Sequence, residues 1–260
     1  MLRYEPFNWY DEPLYYDIIF DADTQLEIRF LEGVIGRYGT TSGRRVLEPA
    51  CGSGRLVSAM AARGYAVTGF DISAAALRFA RSRLREVGLR AGLRKAPMQR
   101  FDFGRRFDAA HCLVSTFKYL LDEASARGHL KCVAAALKPG GVYVLGLHLS
   151  EYGTRARTRE RWVAARHGVA VTCNIQVWPP DRLRRSERVR CRLVVKGDGP
   201  TRRLETNWLF RTYSLAQVRS LLRSVPGLEH VATFNFKYDL EKPMPFDGEW
   251  LDNVLVLRRT

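Results

Sequence analysis

The sequence predicts an α/β chain, a doubly wound sheet with helices on both faces, interrupted late by an inserted antiparallel β-sheet. Three stretches predict it. Residues 44–71, RRVLEPACGSGRLVSAMAARGYAVTGFD, read as strand, glycine-containing turn, helix, strand and acid. Lys138-Pro139-Gly140-Gly141 stops a helix running from about Glu123 to Leu137 and leads into an apolar strand, Val142 to Leu147, because proline and paired glycines cannot continue a helix. Residues 151–211 then alternate apolar and polar positions in strand-length runs with turns at Pro179-Pro180-Asp181 and Gly197-Asp198-Gly199, the pattern of half-buried antiparallel strands.

The first stretch carries the chemistry. Gly52 and Gly54 let the backbone approach a ligand closely, and the helix that follows turns its unpaired N–H groups to the same spot. An acid at the tip of the next strand can accept both hydroxyls of a ribose, and Asp71 stands 23 residues after Glu48, within one βαβ unit. A dinucleotide fingerprint needs a third glycine three residues after the second, where this chain has Val57, and no Gly-Lys-Ser/Thr exists for a phosphate-cradling loop. Glu48 before the glycines would repel a pyrophosphate and suits a cation. S-adenosylmethionine, with a sulfonium, an ammonium and one carboxylate, is such a ligand.

At these residues the sequence resembles the class I S-adenosylmethionine-dependent methyltransferases, whose first motif runs roughly V-L-D/E-x-G-C-G-T-G. VLEPACGSG matches it except at Ala50, where glycine is usual, and Ser53, which replaces threonine. Ala50 is expected to be tolerated with negative φ, because a left-handed residue favours glycine. The resemblance implies a Rossmann-like seven-stranded sheet. It also implies that Glu48 holds the methionine ammonium, while Ala50, Cys51, Gly52, Ser53 and Gly54 line the turn and bind the carboxylate. Asp71 would hold the ribose, and Ile72, Met98 and Leu113 the adenine.

Taken in order, Tyr15 to Phe20 and the pattern through Phe30, Leu31 and Ile35 form an N-terminal helical cap over 1–43. In the small-molecule branch of that family such a helix folds over the cofactor, and Tyr16 would line its pocket. Docking on the core alone would explain the same apolar face. Ser73 caps a helix to about Val87. The third strand, Ala91 to Met98, ends at Pro97-Met98 where relatives carry Asp-Met, so the adenine amino group needs another acceptor, a backbone carbonyl or Gln99. Phe107 to Val114 is the fourth strand, and its carboxyl end borders the site, as strand ends do in open α/β sheets. His111, inside that strand, reads as a hydrogen-bonded core histidine. His148, Glu151 and Tyr152, beyond Leu147, are candidates for substrate contact or proton acceptance.

Strands at Val169–Val177, Ser186–Val195 and Arg203–Phe210 make up the insertion. In the middle one Arg188, Arg190 and Arg192 alternate with Val189, Cys191 and Leu193, giving one cationic and one apolar face. Ser214 to Gln217 has the form of a capping box and opens a helix to Ser224. Leu228–Phe236 and Asn253–Arg258 close the sheet as an antiparallel pair, and the loop Tyr238–Trp250 receives no role. The chain thus divides into a cap (1–43), a core (44–150 and 212–260) and an insertion (151–211).

Composition narrows the function classes. No run of about 18 apolar residues is present to span a membrane, and MLRYEPFNWYDEP is no signal peptide. Five cysteines without a C-x-x-C pair read as reduced thiols of a cytoplasmic protein, with no metal site. The net charge of +15 is compatible with a nucleic-acid partner, yet 35 of the 42 basic residues are arginine, a skew that G/C-rich coding also produces. Residues 1–43 carry net −5 and residues 151–211 net +9. The reading is a methyltransferase acting in line on a nitrogen or oxygen of a small molecule. An RNA or protein methyltransferase using the arginine face, and a non-catalytic S-adenosylmethionine-binding module, are the alternatives. In relatives with this layout the inserted strands form a lid or a dimer surface, so a homodimer is one assembly the resemblance implies.

Overall fold

A computed structural model describes residues 3–104 and 106–260. In chain order it contains β1 (Glu5–Pro6), α1 (Leu14–Phe20), α2 (Thr24–Tyr38), β2 (Arg45–Pro49), α3 (Arg55–Ala62), β3 (Ala66–Asp71), α4 (Ala74–Glu86), β4 (Gly92–Lys95), β5 (Phe107–Cys112) and α5 (Glu123–Ala136). These are followed by β6 (Leu137–His148), β7 (Thr158–Arg166), β8 (Val169–Val177), β9 (Ser186–Lys196), β10 (Arg202–Arg211), α6 (Leu215–Arg223), β11 (Leu228–Phe234) and β12 (Asp252–Arg259).

The main sheet has the order β4-β3-β2-β5-β6-β12-β11. Its first five strands are parallel, β12 runs antiparallel to them, and β11, antiparallel to β12, returns to their direction. Side-chain alternation sends Val46, Ala109, Val144 and Val256 to one face, against α2, α3 and α4. Leu47, Ala110, Tyr143 and Leu257 go to the other, against α5 and α6. Both faces are therefore covered, which is why β5 is buried along its whole length. The order reverses between β2 and β5, so the carboxyl ends of these strands open a crevice. Ser73 caps α4, Asp122 caps α5, and Ser214 with Gln217 forms the expected capping box on α6.

The second sheet, β1-β10-β9-β8-β7, contains two strands that the sequence reading missed. β7 itself contains Arg159, Glu160 and Arg161 and is largely exposed, so its alternation is diluted by charge. β1 belongs to the N-terminal cap yet pairs in parallel with β10. The cap through α1 thus forms one body with the insertion, in which Trp9, Tyr16, Ile18 and Ile19 pack on Val171, Cys191 and Leu193, while α2 packs on the main sheet. Asp17, fully buried, ties that body to the core through Arg83 of α4 and pairs within the body with Arg166 of β7. Arg202 likewise pairs with Glu12 at 2.8 Å. Part of the charge asymmetry between cap and insertion is therefore spent inside the molecule. Among the described residues no helix is long and apolar enough to cross a membrane.

Candidate active site

The turn after β2 is built from left-handed residues: φ is +52° at Ala50, +51° at Gly52 and +71° at Gly54. The expectation of a negative φ at Ala50 is corrected here. The chain must reverse from β2 into α3 while Cys51 N–H donates to Phe70 O at 3.0 Å, which sets the backbone at 50 against the preference of alanine. A side chain at Gly52 would stand 2.7 Å from the Tyr16 hydroxyl, and one at Gly54 would stand 2.6 Å from the Ala80 methyl. Tyr16 therefore lies directly over the turn. Asp71 Oδ2 accepts from Gly52 N–H at 2.9 Å and Oδ1 from Ser73 N–H at 2.7 Å. The α4 cap is supplied by the Ser73 hydroxyl, at 3.1 Å from Ala76 N, so Asp71 is free of that duty.

Glu48 is buried at the carboxyl end of β2, and its Oε2 has no hydrogen-bond partner. Burial pushes its carboxyl up to about 8, with Arg55 opposing and Glu27 reinforcing the shift. Arg55 is already committed to Glu27 and Thr24. An unpartnered buried carboxyl is costly, and here it faces the space that the glycine turn leaves open. The Tyr16 hydroxyl, also buried, has no partner either. These unsatisfied groups fit a ligand with a cationic end. Ile72, 70% exposed, together with Met98, Gln99 and Leu113, lines the same cleft beyond Asp71 and offers apolar contact to a flat ring. His129 is held by Met98 O at 2.8 Å and the Tyr143 hydroxyl at 2.7 Å. This fixes the segment that carries Met98 and Gln99.

The cleft extends past the turn to a volume of about 1140 Å³, more than one ligand of ordinary size fills. Its far wall comes from the inserted sheet and the cap. Trp9 stacks on Trp208 with ring centres 5.3 Å apart, Tyr119 meets Phe210 at 4.8 Å, and the Tyr10 and Tyr119 hydroxyls bond each other. Burial pushes the Tyr10 phenol up to about 12. Lys118 and Glu187 form a buried ion pair at 2.6 Å that joins the loop after β5 to β9. Val114 and Ser115, at the tip of β5, both have positive φ, +54° and +57°. Strain in consecutive non-glycine residues is characteristic of functional sites.

The residues named from sequence divide here. Tyr16, Glu48, Ala50, Cys51, Gly52, Ser53, Asp71, Ile72, Met98, Gln99 and Leu113 all line the cleft, as do His148 and Glu151. Gly54 starts α3 behind the turn. Tyr152 does not line the cleft, because its hydroxyl bonds Thr212 at 2.8 Å and Gln217 at 3.2 Å, bracing the start of α6. His111 is buried as expected, but neither ring nitrogen has a partner, and burial holds its imidazole down at about 3. Sequence reading missed Tyr10, Lys118, Glu187, Trp208 and Asp252. Only Lys118, beside a strand tip, carried any sequence signal. The arginine face of β9 points away from the cleft, which instead meets Glu187 and Val189.

The strand order and the glycine turn define a class I S-adenosylmethionine-dependent methyltransferase fold. Residues 46–141 match the family model described as a methyltransferase domain. Over 105 residues it is 38% identical to a ubiquinone biosynthesis O-methyltransferase of Alkalilimnicola ehrlichii, covering 40% of this chain and 41% of that one. The chain spans 41 to 58% of the length of the curated relatives it matches. An S-adenosylmethionine-dependent methyltransferase structure from Clostridium acetobutylicum superposes with a TM-score of 0.77 at 18% identity, over 97% of this chain and 99% of that one. The glycopeptide N-methyltransferase MtfA gives a TM-score of 0.59 at 26% identity, over 93% and 92%.

Proposed function

We propose that this protein transfers the methyl group of S-adenosylmethionine to a nitrogen or oxygen atom of a small-molecule acceptor. The observation that carries the reading is the buried Glu48 carboxyl, whose Oε2 has no partner, beside a left-handed glycine turn, with Asp71 oriented by Gly52 N–H and Ser73 N–H at the next strand tip. Glu48 would hold the ammonium, the turn N–H groups the carboxylate, Asp71 the ribose, and Ile72, Met98 and Leu113 the purine. Tyr16 closes the cap segment over them.

When bound, the cofactor supplies an activated methyl group on a sulfonium that leaves as a neutral thioether. The protein must align the acceptor behind that methyl and exclude water, an effect worth roughly 7 to 11 kcal/mol. The cap (1–43) and the inserted sheet (151–211) supply the apolar walls that would do so, with His148 and Glu151 on the acceptor side. Relatives named for O- and for N-methylation support either nucleophile. The extension of the cleft to Trp208 and Phe210 supports turnover over a binding-only role. The outward arginine face weighs against RNA as substrate, and leaves that face for a second copy of the chain. Five free cysteines, with Cys173 and Cys191 sulfurs 3.5 Å apart, support a reducing cytoplasm.

Calorimetry with S-adenosylhomocysteine tests the reading. Binding is expected in the wild type, and Asp71→Ala should weaken it by about 2 to 4 kcal/mol through the loss of two charge-assisted hydrogen bonds. Equal affinity in the two proteins would refute the assignment.

A further inference from the structure

The cleft holds an ionisable pair that the cofactor-binding residues do not use. β12 runs beside β6 in a register that sets Asp252 opposite His148, and the His148 Nδ1 to Asp252 Oδ1 distance is 2.5 Å. We propose that His148 and Asp252 form a base dyad. His148 takes the proton of the methyl acceptor through Nε2, and Asp252 is the positioning residue that fixes its tautomer. The inference rests on the methyl-transfer reading and deepens it by committing the acceptor to a group that arrives protonated, an ammonium or an acidic hydroxyl.

The geometry supports each part. A carboxylate at Nδ1 requires the proton on that nitrogen, so in the neutral ring the lone pair sits on Nε2. Among the described residues Nε2 has no hydrogen-bond partner, and the side chain is 42% exposed in the cleft that it lines. The ring cannot swing freely, because the His148 backbone N–H donates to Ser115 Oγ at 3.0 Å and the ring packs on Phe236 at 4.7 Å. Ser115 is itself one of the two strained residues at the tip of β5.

The other four histidines are placed elsewhere. His111 and His129 are core residues, His230 bonds Thr233 and His167 lies in the β7–β8 turn. The charges around the dyad leave its polarity intact. Lys118 is neutralised by Glu187 from β9, and Glu151 on the loop after β6 adds negative charge to the cleft. The hydrogen bond from His148 holds the Asp252 carboxyl below the ordinary carboxylate range against burial, the ring's charge when protonated adds to that, and Lys118 contributes least.

The step balances without a further reactant. The acceptor proton passes to His148 Nε2, and the freed lone pair forms the new bond to the methyl carbon. The carbon–sulfur bond breaks with its electrons left on sulfur. Asp252 offsets the imidazolium charge until the proton returns to solvent.

The test uses the full chain with Asp252→Ala, Asp252→Glu and His148→Gln. Nitrogen NMR of labelled imidazole should show His148 protonated at Nδ1 in the wild type. In Asp252→Ala it should change to the Nε2-protonated form common in water, and in Asp252→Glu it should be restored. With S-adenosylhomocysteine bound, para-nitrophenol should show more phenolate absorbance in the wild type than in free solution, and His148→Gln should abolish the excess. An unchanged tautomer in Asp252→Ala overturns the proposal, as does probe ionisation equal in wild type and His148→Gln. Loss of S-adenosylhomocysteine binding by the wild type would instead strike the methyl-transfer reading, while the tautomer measurement still judges the dyad.

Discussion

Replacing Glu48 by glutamine should stabilise the unliganded protein while weakening cofactor binding, and the structure sets the size of the first effect. In the folded chain burial raises the carboxyl from 4.5 to about 8. At pH 7 the folded carboxyl is thus mostly protonated while the unfolded one is ionised, and folding takes up a proton. Each pH unit above 4.5 costs about 1.4 kcal/mol, or about 3 kcal/mol at pH 7. The sign follows from a raised folded pKa. The contribution is fully present below about pH 4.5 and is lost as pH rises toward about 8. Glutamine does not titrate, so Glu48→Gln should exceed the wild type by about 3 kcal/mol at pH 7 and match it near pH 4.5. Urea denaturation of both proteins between about pH 5 and about pH 8 measures the difference, and comparing them cancels every other titrating group. A difference that does not change with pH would refute the reasoning. A ligand ammonium should restore ionisation of Glu48, so wild-type binding at neutral pH should release a proton, detected by calorimetry in buffers of different ionisation enthalpy. Glu48→Gln should bind more weakly and release none.

Two further substitutions test the framework. Ala50→Gly relieves a left-handed alanine, worth about 1 to 2 kcal/mol, against an unfolded-state entropy loss of about 0.4 to 1 kcal/mol. A net gain between about 0 and about 1.6 kcal/mol is expected in denaturant melts, and destabilisation would show that the turn does not need φ > 0 at that residue. Asp17→Asn leaves Arg83 and Arg166 without their shared buried carboxylate. It should cost about 3 kcal/mol or more and speed hydrogen exchange in α1, whereas unaltered exchange there would show that the cap is held by its apolar contacts alone.

The core was legible because its signals are local. VLEPACGSG, the acid at Asp71 and the Lys138-Pro139-Gly140-Gly141 stop each specify backbone geometry within a few residues. Strand, turn and helix fall where the first two put them, and α5 ends just before the third, though β6 already begins at Leu137 and runs through it. β8, β9 and β10 were legible from alternation, since one face of each is buried. β7 was not, because charged residues within its first half obscure the alternation, and β1 was not, because two residues hold no period. Ala50 shows a different limit. Its intrinsic preference argued for negative φ, and the hydrogen bond from Cys51 to Phe70 overrode it.

By itself, then, the sequence determined the order of elements, the cofactor turn and the residues along it, since all of these depend on neighbours in the chain. Only the tertiary structure decided the acceptor side. Lys118 meets Glu187 across 69 residues, His148 meets Asp252 across 104, and Tyr10 meets Tyr119 across 109. The same fold turned the arginines of β9 outward and placed Tyr152 against α6 instead of the cleft. Pairings of that range are fixed by strand register and by packing between sheets, and no local pattern encodes either one.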